Sequence, residues 1–424
     1  MMENSKDQKN DEVLLKVEHL CQYFGPTKAV DDVSFEIKKG EAFGLVGESG
    51  CGKTTTGRSI IRLYDITSGN IYFKGQRIAA GTLSYKNAIK KEKADLQEEL
   101  AAIKADGALS AADKDARMKA RKQQSREFIA AQQEEIRRAK DDHKNYNRKY
   151  MAAAKAEAEA ELAAALEKAG SEEEKKAARK VCADKLEELR RENLVTKIQM
   201  IFQDPVASLD PRMTVAEIIA EGLTIQKVKD KKTIENEVYQ VLEKVGFVRE
   251  HAGRYPHEFS GGQRQRIGVA RAVIMKPEMI IADEPVSALD VSIQAQVINL
   301  LNDLRREMGM TVMFIAHDIS VVKYFSDRIG VMYFGKMVEL ADSDEIFRHP
   351  LHPYTKSLFS AIPLPDPEYE KQRKRITYVP LRDHDYSEEQ PSFREIIPGH
   401  FVLCNTAEEQ KYLEEIRAKD AEQA

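Results

Sequence analysis

The sequence predicts an α/β core, split by a long helical (coiled-coil-like) insertion and followed by a C-terminal extension. Three observations lead there. Short apolar runs, Gly-marked turns and amphipathic stretches alternate from about Leu14 to Ala80 and again from about Leu194 to Glu339, as in an α/β domain. Residues 85–193 contain no Pro and only four aromatics, Tyr85, Phe128, Tyr146 and Tyr150, and are dominated by Ala and charged side chains, the composition of long solvated helices. The chain has 424 residues, more than the roughly 100–200 expected of one ordinary domain.

Charge and cysteine content narrow the function classes. Basic and acidic side chains number 66 and 70, a net charge of -4, so there is no global basic field and nucleic acid is not an expected partner. No run approaches the roughly 20 apolar residues of a spanning helix, and the start of the chain lacks an apolar signal-peptide core. A cytosolic location is therefore expected. Cys21, Cys51, Cys182 and Cys404 lie far apart, without the spacing of a zinc or iron–sulfur clip, and read as free thiols.

The first part of the core covers residues 1–84. Within it the apolar strand Glu41-Ala-Phe-Gly-Leu-Val-Gly47 runs into Gly47, Glu48, Ser49, Gly50, Cys51, Gly52, Lys53 and Thr54, a complete phosphate-binding loop ahead of a helix. Glycines let backbone N–H groups close around phosphate oxygens, Lys53 neutralises charge, and the Thr54 hydroxyl is placed to coordinate Mg²⁺. Thr55 continues the loop into the helix. Cys51 reads as a small loop residue whose backbone does the binding.

The insertion, residues 85–193, has helix breaks at Gly107 and Gly170 and sparse apolar positions at Ile89, Leu96 and Ile103. Both of its ends rejoin one domain, so the helices must double back. A hairpin with arms of about 50 residues projects about 75 Å. It reads either as a solvated spacer or as a partner-binding arm.

The remaining segments carry the rest of the chemistry. Residues 194–205 form a loop region around Gln203, and residues 206–263 a helical subdomain ending in Phe259, Ser260, Gly261, Gly262 and Gln263. A Ser-Gly-Gly turn at a helix start is a second anion site, which suggests that each copy completes a nucleotide site in a neighbour. The second part of the core, 264–340, holds the run Met279-Ile-Ile-Ala-Asp283-Glu284, the form of a buried parallel strand ending in two carboxylates. Asp283 is assigned to the Mg²⁺ shell and Glu284 to polarising the attacking water. His317 ends the apolar run from Thr311.

In this order the phosphate loop, Gln203, Ser260–Gln263, Asp283–Glu284, Ser287-Ala-Leu-Asp290 and His317 resemble the ATPase subunit of ABC transporters. The resemblance implies a P-loop ABC-type ATPase core with helical subdomain, binding ATP and Mg²⁺. It implies that Gln203 senses Mg²⁺ and couples to membrane subunits, that Asp290 communicates across an ATPase dimer, and that His317 contacts the γ-phosphate. Phe24, before Gly25, takes the place of the family's adenine-stacking aromatic. Phe259 stands where the family usually has Leu, a swap of apolar anchors that should preserve the turn.

The segment His349-Pro-Leu-His-Pro-Tyr-Thr-Lys-Ser-Leu-Phe-Ser-Ala-Ile-Pro363 and Ile397-Pro-Gly-His-Phe-Val402, within the extension and acidic tail of residues 341–424, look like the C-terminal region of oligopeptide/dipeptide importer ATPases. That resemblance implies a peripheral protein on the cytoplasmic face of the cell membrane. Its implied partners are two membrane-spanning permease subunits, a second ABC ATPase subunit (paralogue or self) and an extracytoplasmic peptide-binding protein. The cysteine cluster of some members is missing, so no iron–sulfur cluster is expected. Two alternatives stay open: an SMC or DNA-repair-like soluble ATPase with a helical hairpin arm, and the ATPase of an importer for nickel or another small solute.

Overall fold

The computed structural model describes residues 12–107, 109–191, 193–361 and 375–423. Ile362 and Pro363, which end the first extension motif, lie outside the described residues, as do the first eleven. Two sheets organise the chain. A four-stranded antiparallel sheet runs in the order β2-β1-β4-β5, from β1 (Val13–Phe24), β2 (Thr27–Lys38), β4 (Ser68–Phe73) and β5 (Gln76–Ala80). An eight-stranded sheet runs β11 (Ser392–Ile397), β12 (His400–Cys404), β10 (Lys336–Asp342), β9 (Arg328–Tyr333), β3 (Ala42–Val46), β8 (Thr311–Ala316), β7 (Met279–Asp283) and β6 (Ile198–Ile201). Its centre is parallel: β3 lies between β8 and β9, with β7 and β6 beyond β8.

Strands β3, β7 and β8 are buried at every position, because both faces of this sheet are covered. Alternate residues supply two cores. Phe43, Leu45, Ile281, Met313 and Ile315 face the four-stranded sheet and helix α1 (Lys53–Ile60). Val46, Ile280, Ala282, Val312 and Phe314 face the helical side. That side includes α5 (Pro205–Ser208), α6 (Val215–Ile225), α7 (Lys231–Lys244), α8 (Gly261–Val273), α9 (Val291–Met308) and α10 (Ile319–Phe325).

The insertion departs from the single hairpin expected. It forms three helices, α2 (Leu83–Ala105), α3 (Ala111–Lys168) and α4 (Glu172–Arg191), with breaks around Gly107 and Gly170. At 58 residues, α3 is about 87 Å long, and its middle is fastened to the core. Arg77 on β5 donates to Asp142 at 2.7 Å, Arg62 donates to the His143 carbonyl at 3.0 Å and lies over the Tyr146 ring, and Lys74 lies over Tyr150. From that anchor α3 runs both ways. Arg121 on its N-terminal half pairs with Glu92 and Glu99 of α2, whereas Glu161 on its C-terminal half takes Lys185 of α4 at 2.6 Å. The result is two unequal hairpins, because two glycine breaks make three helices and a polar-aromatic cluster pins the central one.

Arg77 and Asp142 are only 12% and 16% exposed, so Arg77→Ala should loosen this anchor. Amide exchange across residues 139–150 is expected to rise about tenfold or more, since a hydrogen bond to a charged group contributes about 1.5–3 kcal/mol. Strands β3 and β8 should keep their protection. Unchanged exchange over 139–150 would show that the anchor lies elsewhere.

The C-terminal extension enlarges the core sheet. Strand β10 (Lys336–Asp342) pairs with β9 on one side and β12 (His400–Cys404) on the other, and β11 (Ser392–Ile397) closes the edge. Glu339 on β10 is fully buried and accepts from the Leu351 and His352 backbone N–H groups at 2.8 and 3.0 Å and pairs with His400 Nε2 at 2.9 Å. This carboxylate fixes the entry to helix α12 (Pro353–Ser360), which follows α11 (Ser343–Arg348). The stretch read as an acidic tail is largely the helix Thr406–Gln423. Tyr412 and Ile416, four apart on one helix face, bury against Leu351 and Val402.

Candidate active site

The phosphate loop joins β3 to α1, where the parallel sheet delivers its C-terminal strand ends. Its backbone needs glycine. Gly47 and Gly52 have φ of +150° and +107°, and a Cβ on either would meet the Met332 or Ala29 carbonyl oxygen at 2.2 or 2.3 Å. Lys53 is 3% exposed, with Nζ donating to the Gly47 and Glu48 carbonyls at 2.6 and 2.9 Å. The ammonium is thus held against the loop by the loop's own carbonyls. Glu48, Ser49 and Gly50 face solvent, while Cys51 is buried, and burial pushes its thiol pKa up. Two further contacts fasten the loop: Gly335 N–H donates to the Cys51 carbonyl at 2.9 Å, and Glu48 N–H donates to the Tyr354 hydroxyl at 3.0 Å.

Strands β7 and β8 bring the acids and the histidine to the same end. Asp283 is fully buried and accepts from Thr54 Oγ1 at 2.7 Å. Its other oxygen, Oδ2, has no hydrogen-bond partner among the described residues. Burial raises the Asp283 pKa, opposed by the Thr54 hydrogen bond and the nearby Arg58 charge. An unsatisfied buried carboxylate oxygen beside a threonine hydroxyl fits a small divalent cation, which takes hard oxygen donors.

Glu284 follows with φ of +45°. A non-glycine residue in the left-handed region stores strain of the kind found at functional sites. Its N–H donates to the Ile315 carbonyl at 2.9 Å, tying the residue to β8. Glu284 Oε2 accepts from Gln203 Nε2 at 2.9 Å and meets His317 Nδ1 at 3.3 Å. A cavity beside these groups is lined by Glu284, Ser287, Gln294 and His317.

The structure therefore gathers Lys53, Thr54 and Asp283, and next to them Gln203, Glu284 and His317. Phe24 stands on the four-stranded sheet, 44% exposed, with the Tyr64 ring edge-on at 5.2 Å. Ser260 caps α8, accepting from the Gln263 N–H at 3.4 Å while Gln263 Oε1 accepts from the Ser260 N–H at 2.9 Å. Phe259 is buried against Phe247 and His251, so the turn keeps its apolar anchor. Asp290 caps α9 through its backbone. Among the described residues no hydrogen bond joins Ser260, Gly261, Gly262, Gln263 or Asp290 to residues 47–55. Sequence reasoning did not single out Tyr64 or Tyr354. Tyr64 carries no local signal, and Tyr354 was visible only as part of the extension motif.

A parallel α/β sheet with a phosphate loop after one strand, paired carboxylates after the next but one and a histidine between them in space defines a P-loop ATPase of the ATP-binding cassette class. A profile of the ABC transporter family matches residues 30–183 and 173–287, and the chain belongs to that family. A second profile, the C-terminal region of oligopeptide/dipeptide transporters, matches residues 338–388. The oligopeptide transport ATP-binding protein OppF of Bacillus subtilis is 47% identical over 94% of this chain and 98% of its own length. OppF of Streptococcus mutans is 42% identical over 91% of each chain. The dipeptide transport ATP-binding protein DppF of Lactococcus lactis is 41% identical over 92% of this chain and 91% of its own. A solved ATP-binding cassette of an ABC transporter shares the fold, with TM-score 0.50 and 18% identity over 82% of this chain and 98% of that one. These relatives favour a transport ATPase over a DNA-repair-like mechanical one.

Proposed function

We propose that this chain is the ATP-hydrolysing subunit that energises an ABC importer of oligopeptides or dipeptides. The observation that supports it most is the union, on one sheet, of the cassette core with the extension that matches the C-terminal region of oligopeptide/dipeptide transporters. Within the site, backbone N–H groups of residues 49–55 and the Lys53 ammonium hold the ATP phosphates, and Phe24 stacks on the base. Glu284 positions and polarises the attacking water, aided by Gln203, while His317 contacts the γ-phosphate. Thr54, Asp283 and Gln203 would hold a Mg²⁺ ion, which would screen charge on the phosphate oxygens.

Among the described residues Ser260–Gln263 and Asp290 make no hydrogen bond to the loop of their own chain, which suits a head-to-tail dimer in which each signature turn meets the nucleotide of a second ABC ATPase, paralogue or self. Among the described residues no helix is long and apolar enough to cross a membrane. Transport would then require two membrane-spanning permease subunits, docked in the groove beside Gln203, and an extracytoplasmic peptide-binding protein. In this reading the chain is a peripheral subunit on the cytoplasmic membrane face.

The test is to purify the Glu284→Gln chain from its native cells in mild detergent with ATP and Mg²⁺ and identify its companions by mass spectrometry. Two multi-span membrane proteins and a second ATPase are expected. Recovery with soluble or DNA-bound proteins alone would overturn the importer reading.

A further inference from the structure

We infer that Tyr354, at the start of the C-terminal extension, is a positioning residue of the ATP site: its hydroxyl clamps the phosphate loop through the Glu48 N–H. This rests on the ATPase reading above and adds the extension to the nucleotide site. The bond spans 306 residues of sequence at 3.0 Å. Tyr354 is 2% exposed and sits among Tyr333 and Tyr378, with ring centroids at 4.4 and 5.7 Å, so the hydroxyl has little freedom to turn elsewhere.

Its position is set from both sides. Pro353 begins α12 with a fixed φ, and the His352 side chain caps the helix by accepting from the Tyr354 N–H at 3.1 Å. His352 is itself 1% exposed, and burial holds its pKa down to about 3, so it is the neutral, accepting form. The residue before the helix is held by Glu339, whose carboxylate takes the Leu351 and His352 N–H groups and His400 Nε2. The β11–β12 hairpin therefore supports the helix that aims Tyr354 at the loop.

The Gly47–Glu48 peptide is held at both ends, because the Gly47 carbonyl takes Lys53 Nζ at 2.6 Å while the Glu48 N–H goes to Tyr354. A loop already ordered at Glu48 loses less freedom when phosphates enter, and preorganisation of this kind raises affinity without adding a contact to the ligand. Among the described residues no hydrogen bond or ring contact joins Tyr354 to Glu284, Gln203 or His317. Loss of the clamp should consequently raise the ATP Kd and KM and leave kcat nearly unchanged.

The experiment compares full-length wild type, Tyr354→Phe and Tyr378→Phe. Tyr378 packs against the same ring, and among the described residues it has no bond to the loop. ATP and ADP binding are followed by calorimetry, turnover by phosphate release, and the Glu48 amide by hydrogen exchange. Tyr354→Phe should raise Kd and KM for both nucleotides about threefold to tenfold, the range for loss of one hydrogen bond. It should speed exchange at Glu48 and keep kcat within about twofold; Tyr378→Phe should leave all of these near wild type. The inference is overturned if Tyr354→Phe binds ATP as wild type does, if Glu48 exchange is unchanged, or if Tyr378→Phe weakens binding equally. Wild type that binds no ATP would instead refute the ATPase reading, and the exchange measurement would still report on the clamp.

Discussion

Glu284→Gln is expected to lower ATP turnover by at least about a hundredfold, the lower end of what a positioned general base contributes, while ATP affinity stays within about twofold of wild type. The reason is geometric. Glu284 Oε2 is the meeting point of Gln203 Nε2 and His317 Nδ1, and an isosteric amide can still accept one of these contacts but cannot take a proton from water. Lys53, Thr54 and Asp283 are bonded to one another or to the loop backbone and not to Glu284, so binding has no cause to fall. The variant should accumulate with ATP as a dimer, measurable by light scattering alongside a phosphate-release assay. Turnover within about tenfold of wild type would remove Glu284 from the general-base role. The left-handed backbone at this position adds a further expectation: the strain persists in the glutamine variant, because the N–H of residue 284 stays tied to the Ile315 carbonyl.

Much of this site was legible because each part is local to one strand end. The run from Glu41 to Thr54, the run from Met279 to Glu284 and the run from Thr311 to His317 each combine a buried apolar strand with the residue it delivers, and the parallel sheet brings the three ends together. The contacts that escaped the sequence are those between distant segments. Tyr354 reaches Glu48 and Tyr64 lies against Phe24 by tertiary packing alone, and a tyrosine in either place reads as ordinary core. The left-handed φ of Glu284 is equally silent, since glutamate has no preference for it.

The insertion shows the same boundary from the other side. Its helical composition and glycine breaks could be read directly, yet counting ends led to one hairpin with equal arms. What decides the geometry is the short stretch Asp142–Tyr150, whose bonds to Arg62, Lys74 and Arg77 lie 65 to 81 residues away in sequence. A charged residue on a solvated helix carries no mark that it will meet a partner. Two of the four aromatics of the insertion, Tyr146 and Tyr150, fall in that stretch, and this clustering is the signal that could have located the anchor.

Lys53→Ala is expected to weaken ATP binding by at least about a hundredfold and with it to abolish hydrolysis. Lys53 is the one ammonium buried within the phosphate loop, and in a site where solvent is largely excluded a charge paired with phosphate is screened far less than at the surface. Its removal also leaves the Gly47 and Glu48 carbonyls without the donor that draws them together, so the loop loses order as well as charge. A thermal-shift titration separates these effects. At an ATP concentration of about 100 Kd the wild type should gain about 2.7 kcal/mol of stability, seen as a rise in Tm that grows with nucleotide. The alanine variant should show no such rise over the same range, whatever its own Tm, because a ligand can stabilise only the state it binds. Strand β3 and helix α1 remain packed in the core between the two sheets, so the variant is expected to fold. A Tm that still climbs with ATP would mean that the backbone N–H groups hold the phosphates without the lysine, and the role given to its charge would then be wrong.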